Sequence, residues 1–222
     1  MERILEPELM EQQEQAEAYA NADFSQAHDL FVAQFKEKFS DIPSGFNDVV
    51  LDLGCGPCDV TRRFAKAYPD TGFHAVDGSA EMLSLAQKLN QQENLNTRIK
   101  LIEGYIPGVE LPQSSYHAII SNSLLHHLHN PLALWQTIQQ HAKPFARVFV
   151  MDLIRPIDEQ TVKFLVSEYV ANEAEILQQD FEHSLRAAFT VNEVRSQLNE
   201  AGLSQLAVEE VSDRHMIIYG EM

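Results

Sequence analysis

Two kinds of chemistry overlap in residues 51–60, LDLGCGPCDV. Cys55-Gly-Pro-Cys58 has the spacing of a redox dithiol, whose reactive thiolate sits at a helix N-terminus. Asp52-Leu-Gly54-Cys55-Gly56 reads instead as a glycine turn through which the backbone approaches a nucleotide closely. Asp77 lies about twenty residues further on, where an acid ending a second strand accepts hydrogen bonds from a ribose diol. A second concentration of reactive side chains follows in Leu124-Leu-His126-His127-Leu-His129. Either an imidazole there takes a proton from an acceptor or orients it, or the segment starts a helix whose histidines pack or face solvent.

These residues sit at the ends of a regular alternation. Asp48–Leu53, Phe73–Asp77, Arg98–Glu103, Tyr116–Ser121 and Arg147–Asp152 are short runs rich in Val and Ile, predicted as strands. Helices are predicted between them: Val60–Ala67, Ala80–Leu89 capped by Ser79, and Leu132–His141 opened by Pro131 and ended by Pro144-Phe-Ala. Strands alternating with helices imply right-handed crossovers and a mostly parallel, doubly wound α/β sheet. The first forty residues read as helices, with Phe31, Phe35 and Phe39 on one stripe. Residues 158–189 read as helical throughout. Thr190 caps a helix over Val191–Ala201 that Gly202 stops, and the tail offers two strands around Ser212-Asp213.

The redox reading is the weaker one. Thioredoxin-like sites usually carry a tryptophan before the first cysteine; Gly54 stands there, and Trp135 is far downstream. Among nucleotide loops, the third glycine of a dinucleotide turn is replaced by Asp59, and no Gly-Lys-Ser/Thr follows. The turn therefore suits a nucleoside carrying a small zwitterion better than one carrying a pyrophosphate.

The bulk properties remove other classes. A chain of 222 residues, 45% hydrophobic, is long enough for one sizeable core. The net charge of −17 opposes binding to a phosphate backbone, so no nucleic-acid partner is expected. The first twenty residues lack the apolar stretch of a secretion signal and no run reaches membrane-span length. With two cysteines and no disulfide framework, the reading is a cytoplasmic protein without a membrane partner. Monomer and homodimer both stay open.

"VVLDLGCGPCDVTRRFA", "FHAVDGSAEML", "YHAIISNSLLHHLHNP" and "RVFVMDLIRP" together resemble the successive motifs of class I S-adenosylmethionine-dependent methyltransferases. The likeness is clear over residues 45–155. It implies a Rossmann-like sheet of seven strands with helices on both faces and the last strand antiparallel, extended here by extra N-terminal helices and a helical insertion after strand five. One domain is expected over 1–222: an N-terminal helical cap (1–44), a cofactor-binding core (45–155), a helical lid (156–190) and a C-terminal helix with hairpin (191–222).

The resemblance also implies roles. Asp52, Gly54, Cys55 and Gly56 would surround the methionine part of S-adenosylmethionine. Asp77 would hold the ribose hydroxyls, with Gly78, Ser79 and Met82 beside ribose and adenine. Gly104, Tyr105 and Ile106 would border the adenine, Tyr105 standing where the family usually has an acid. Cys58 stands where the family commonly has glycine. Ser121 and Asn122 would line the methyl-transfer edge, and Tyr19 would close over the cofactor.

Methyl transfer asks mainly for positioning, so no catalytic triad is expected. His126 and His127 are the candidate catalytic residues. Asp152 is read as capping a turn, and His183 and His215 as ordinary surface or core histidines. No metal site is expected, because no carboxylate completes the histidine cluster and adjacent residues point apart. The leading function is methylation of a small-molecule acceptor. A protein or tRNA acceptor is the alternative, and a non-catalytic module that binds S-adenosylmethionine a third reading.

Overall fold

The computed structural model describes residues 1–6, 24–42 and 46–222. Its seven strands are β1 (Val49–Leu53), β2 (Gly72–Asp77), β3 (Ile99–Glu103), β4 (Tyr116–Asn122), β5 (Ala142–Leu153), β6 (Ala207–Glu210) and β7 (His215–Glu221). They form one sheet in the order β3-β2-β1-β4-β5-β7-β6. β1 to β5 pair in parallel, while β7 runs antiparallel to both β5 and β6. The chain reverses direction across the sheet between β3 and β4, so the carboxyl ends of β1 and β4 flank a crevice. Gly54, Gly56 and Asn122 all sit on it.

The helices are α1 (Ser25–Lys38), α2 (Asp59–Ala67), α3 (Ala80–Gln92), α4 (Leu132–His141), α5 (Glu159–Tyr169), α6 (Glu175–Ala187) and α7 (Val191–Glu200), with a 3-10 turn at Leu125–His127. Successive strand residues face opposite sides, and the sheet is covered on both. Val50, Phe73, Ile120 and Phe149 pack with Phe31 and Phe35 of α1, Phe64 of α2 and Ala86 of α3. Leu51, Ile119, Val148 and Val150 pack on the other face with Trp135 of α4 and Leu198 of α7. The buried Trp135 indole donates to Gln197 Oε1 at 3.0 Å, which satisfies its only polar group.

Local signals explain most boundaries. Ser79 Oγ accepts from the Met82 N–H, and Thr190 with Glu193 forms a reciprocal capping box. Gly202, at φ +72°, ends α7.

Four expectations are corrected. Residues 1–6 are an extended strap, not helix: Ile4 N–H donates to Arg186 O, and Arg3 donates to Ala187, His126 and Leu128 carbonyls. These long-range bonds override local helix propensity. Residues 158–189 break into α5 and α6 at Val170–Ala174, where the polar Asn172-Glu173 lies. β5 starts at Ala142, directly after α4, and runs through Pro144 by bulging: Tyr116 pairs with Ala142, and Ala118 already with Arg147. Phe145 takes φ +64° there, and its N–H donates to Met222 O, which holds the bulge to the sheet. Ser121 does not line an edge of the crevice. It is fully buried and donates to Leu53 O at 2.8 Å, tying β4 to β1.

No described helix is long and apolar enough to cross a membrane.

Candidate functional site

A cavity of about 240 Å³ opens along the carboxyl ends of β1, β2 and β4. Its lining includes Asp52, Gly54, Cys55, Gly56, Asp77, Gly78, Ser79, Met82, Gly104, Tyr105, Ile106, Asn122, His126 and His127. The structure thus brings together the residues singled out above, except Ser121 and Tyr19, which lies outside the described residues.

The two glycines of the β1 turn differ in role. Gly54 has φ +74°, and a Cβ there would stand 2.8 Å from Leu124 Cβ, so the position is closed by packing. Its N–H and that of Cys55 donate to Val76 O, fixing the turn against β2. Gly56 has φ +50° and faces open space, with nothing within 4 Å of an added Cβ. Its N–H donates to Asp77 Oδ2 at 2.7 Å, and the Ser79 N–H donates to Asp77 Oδ1 at 2.9 Å. Both carboxylate oxygens are therefore oriented by backbone donors, and a carboxylate has further lone-pair sites for the two hydroxyls of a ribose diol. Burial pushes the Asp77 carboxyl upward, and backbone donors from Ser79, Gly56 and Gly78 oppose that.

Asp52 is buried beneath the turn. Burial pushes its carboxyl to about 7, against the Thr61 hydroxyl that donates to it at 2.5 Å and with added repulsion from Asp77. A cationic group entering the cavity would favour its ionised form. The open Gly56 turn with the buried acid at Asp52 fits the methionine part of S-adenosylmethionine, and the oriented Asp77 fits its ribose diol.

The cysteines do not form a reactive dithiol. Both are buried free thiols, and burial raises the Cys55 thiol well above its ordinary value. A redox cysteine needs the opposite shift. Cys58 adopts φ +62°, the left-handed backbone that glycine takes without steric cost.

The histidines occupy the far side of the cavity. His126 is 2% exposed, and its Nδ1 lies 2.6 Å from Asp152 Oδ1. Asp152 also accepts from the Leu125 N–H at 2.8 Å, so it caps the 3-10 turn, as read from the sequence, and orients the imidazole as well. Burial alone would lower the His126 pKa; the Asp152 and Glu6 carboxylates outweigh it and hold it above the ordinary value. His127 stacks beside it with ring centroids 4.2 Å apart. Glu6, delivered by the N-terminal strap, reaches both: its Oε1 lies 3.6 Å from His126 Nε2 and 3.2 Å from His127 Nδ1. Burial raises the Glu6 carboxyl to about 7. The expectation that no carboxylate meets the histidines is therefore corrected.

Glu6 carried no sequence signal, since it stands about 120 residues away in an acidic segment. Other lining residues were missed too. Phe24, Ala27 and His28 come from the start of α1 and the residue before it, and Leu177, Asp180, Phe181 and Ser184 from α6. His215, read as ordinary, lines the cavity, and burial drives its pKa down to about 4, so it is a neutral imidazole near neutral pH. His183 is exposed.

The sheet order, the glycine turn and the acid ending β2 are those expected of a methyltransferase fold that uses S-adenosylmethionine. Comparison with known proteins agrees. Residues 50–145 match the family model described as a methyltransferase domain. Over 123 residues the chain is 32% identical to malonyl-[acyl-carrier protein] O-methyltransferase of Bacillus cereus, covering 55% of this chain and 42% of that protein. The chain thus spans under half the length of this curated relative. An uncharacterized methyltransferase of Mycobacterium bovis is 27% identical over 159 residues, covering 70% of this chain and 77% of that one. Among solved structures, an S-adenosylmethionine-dependent methyltransferase from Aquifex aeolicus superposes with TM-score 0.67 at 18% identity, covering 93% and 97% of the two chains. The plantazolicin methyltransferase BpumL, solved with S-adenosylhomocysteine, gives 0.71 at 14%, covering 93% and 89%. Residues 50–145 thus match a methyltransferase domain, and the chain has the fold of S-adenosylmethionine-dependent methyltransferases.

Proposed function

We propose that the chain methylates a small acceptor held between the end of β4, α6 and the N-terminal strap. The observation that carries this reading is one continuous cavity, with Gly56 and Asp77 at one end and His126 and His127 at the other. Leu177 and Phe181 of α6 and Phe24 border it with apolar surface, which suits a modest acceptor shielded from water.

S-adenosylmethionine supplies an activated sulfonium methyl group, so no protein nucleophile is needed. The chain's residues position the reactants. Asp77 holds the ribose hydroxyls, and Gly56 and Asp52 sit by the methionine part. Asn122 borders the transfer edge. Asp152 fixes the His126 ring through Nδ1 and leaves Nε2 on the Glu6 side. With carboxylates beside both ring nitrogens, His126 orients the acceptor more than it removes a proton. The protein is assigned to the cytoplasm on its two buried, free thiols.

A carrier-linked acyl acceptor is a second reading, favoured by the Bacillus cereus relative. A screen of small phenols, amines, thiols and carboxylic acids, read by S-adenosylhomocysteine release, separates the two. Turnover with a free small molecule is expected. Turnover only with an acyl group on a carrier protein, or only with protein or tRNA, would overturn the small-acceptor reading.

A further inference from the structure

Glu6, His126 and His127 each offer one ligand atom, and all three atoms lie within 4.8 Å of one another. Ligand atoms at about 2.0–2.2 Å around one zinc-sized cation stand about 3–3.5 Å apart. The distances of 3.2 and 3.6 Å from Glu6 Oε1 to the two imidazoles already match that spacing. We propose that Glu6, His126 and His127 form a binding site for one borderline divalent cation of the zinc class.

Three further observations support it. The His126 ring is held by a carboxylate behind it: Asp152 lies 2.6 Å from Nδ1, is 1% exposed and accepts the Leu125 and Leu153 backbone N–H groups. A metal-binding histidine is usually fixed in this way, with one ring nitrogen on a carboxylate and the other free to ligate. The charges also balance, because Glu6 and Asp152 supply two negative charges between two imidazoles. The neighbouring charged groups are Arg3, whose guanidinium donates to the His126 and Leu128 carbonyls, and Asp180, which lines the same cavity. Finally, His126 and His127 line the cavity itself. Two histidines and one carboxylate leave coordination positions open on a bound cation, which an acceptor entering the cavity beside the histidines would fill. An acceptor bearing a hydroxyl, thiol or carboxylate is the class such a cation would hold.

The assignment is independent of the acceptor reading, and its test does not use turnover. The full chain, stripped with chelator, is titrated with Zn²⁺ by calorimetry and with Co²⁺ by visible absorption. The same titrations are run on Glu6→Gln, His127→Ala and, as a control, His183→Ala. S-adenosylhomocysteine binding by each variant reports that the fold is intact. One equivalent of Zn²⁺ bound at micromolar Kd or tighter is expected, with a ligand-field Co²⁺ spectrum. Both are expected to weaken at least tenfold in Glu6→Gln and in His127→Ala, while His183→Ala and S-adenosylhomocysteine affinity stay unchanged. Absence of stoichiometric binding, or binding that survives in either site variant, would overturn the proposal and leave the cluster as an ion pair around His126.

Discussion

Alanine at Gly54 and alanine at Gly56 are expected to fail in different ways, although the two glycines are two residues apart. Both have left-handed backbone, which costs an alanine about 1–2 kcal/mol. At Gly54 the new methyl also stands 2.8 Å from Leu124 Cβ and 2.9 Å from its Cδ1. Overpacking of that kind adds about 1–3 kcal/mol, for a total of about 2–5 kcal/mol. At Gly56 the methyl meets nothing within 4 Å, so only the backbone cost applies. With about 2–4 °C of Tm per kcal/mol for a chain of this size, Gly54→Ala should lose roughly 4–20 °C and Gly56→Ala roughly 2–8 °C. Ligand binding should show the reverse order. The Gly56 methyl projects into the open space proposed for the cofactor, so S-adenosylhomocysteine affinity should fall at least tenfold, about 1.4 kcal/mol. Scanning fluorimetry and calorimetry on both variants check this. A Gly56→Ala protein that binds S-adenosylhomocysteine like the wild type would refute close approach of the ligand to this turn.

Two further outcomes follow from the buried groups of the same loop. Replacing Cys55 and Cys58 together with serine should leave S-adenosylhomocysteine affinity within a few-fold, and neither protein should reduce insulin; dithiol activity lost in the double variant would contradict the buried-thiol account. Asp52 has a folded-state pKa of about 7, above its unfolded value of 3.8, so its contribution is complete below pH 3.8 and is lost as pH rises through about 7. Asp52→Asn should therefore raise the Tm of the ligand-free protein more at pH 8 than at pH 5, while weakening S-adenosylhomocysteine; an equal effect at both pH values would show that Asp52 is not held near 7.

The parts legible in the sequence were those set by local rules. The Asp52–Gly56 turn and Asp77 could be read because a strand end, a turn and a cap each have short-range signatures, down to Ser79 capping α3. Ser121 was misplaced because strand side chains alternate: Ser121 points at β1 and Asn122 into the crevice, and a one-residue slip exchanges them. The strap and Glu6 were illegible for a different reason. Their conformation is set by hydrogen bonds to residues more than 120 positions away, such as Arg3 to His126 O. Asp152 was read as a turn cap, which it is, but its contact with His126 required the 3-10 turn to fold back over β5.

The most direct test of the account is calorimetric binding of S-adenosylhomocysteine to the wild-type chain and to Asp77→Ala. Asp77 offers two oriented acceptors, and each hydrogen bond to a charged group contributes about 1.5–3 kcal/mol. Stoichiometric binding by the wild type is expected, with a loss of about a hundredfold or more in Asp77→Ala and the fold retained. No heat or thermal shift in the wild type at millimolar ligand, or equal affinity in the two proteins, would contradict it.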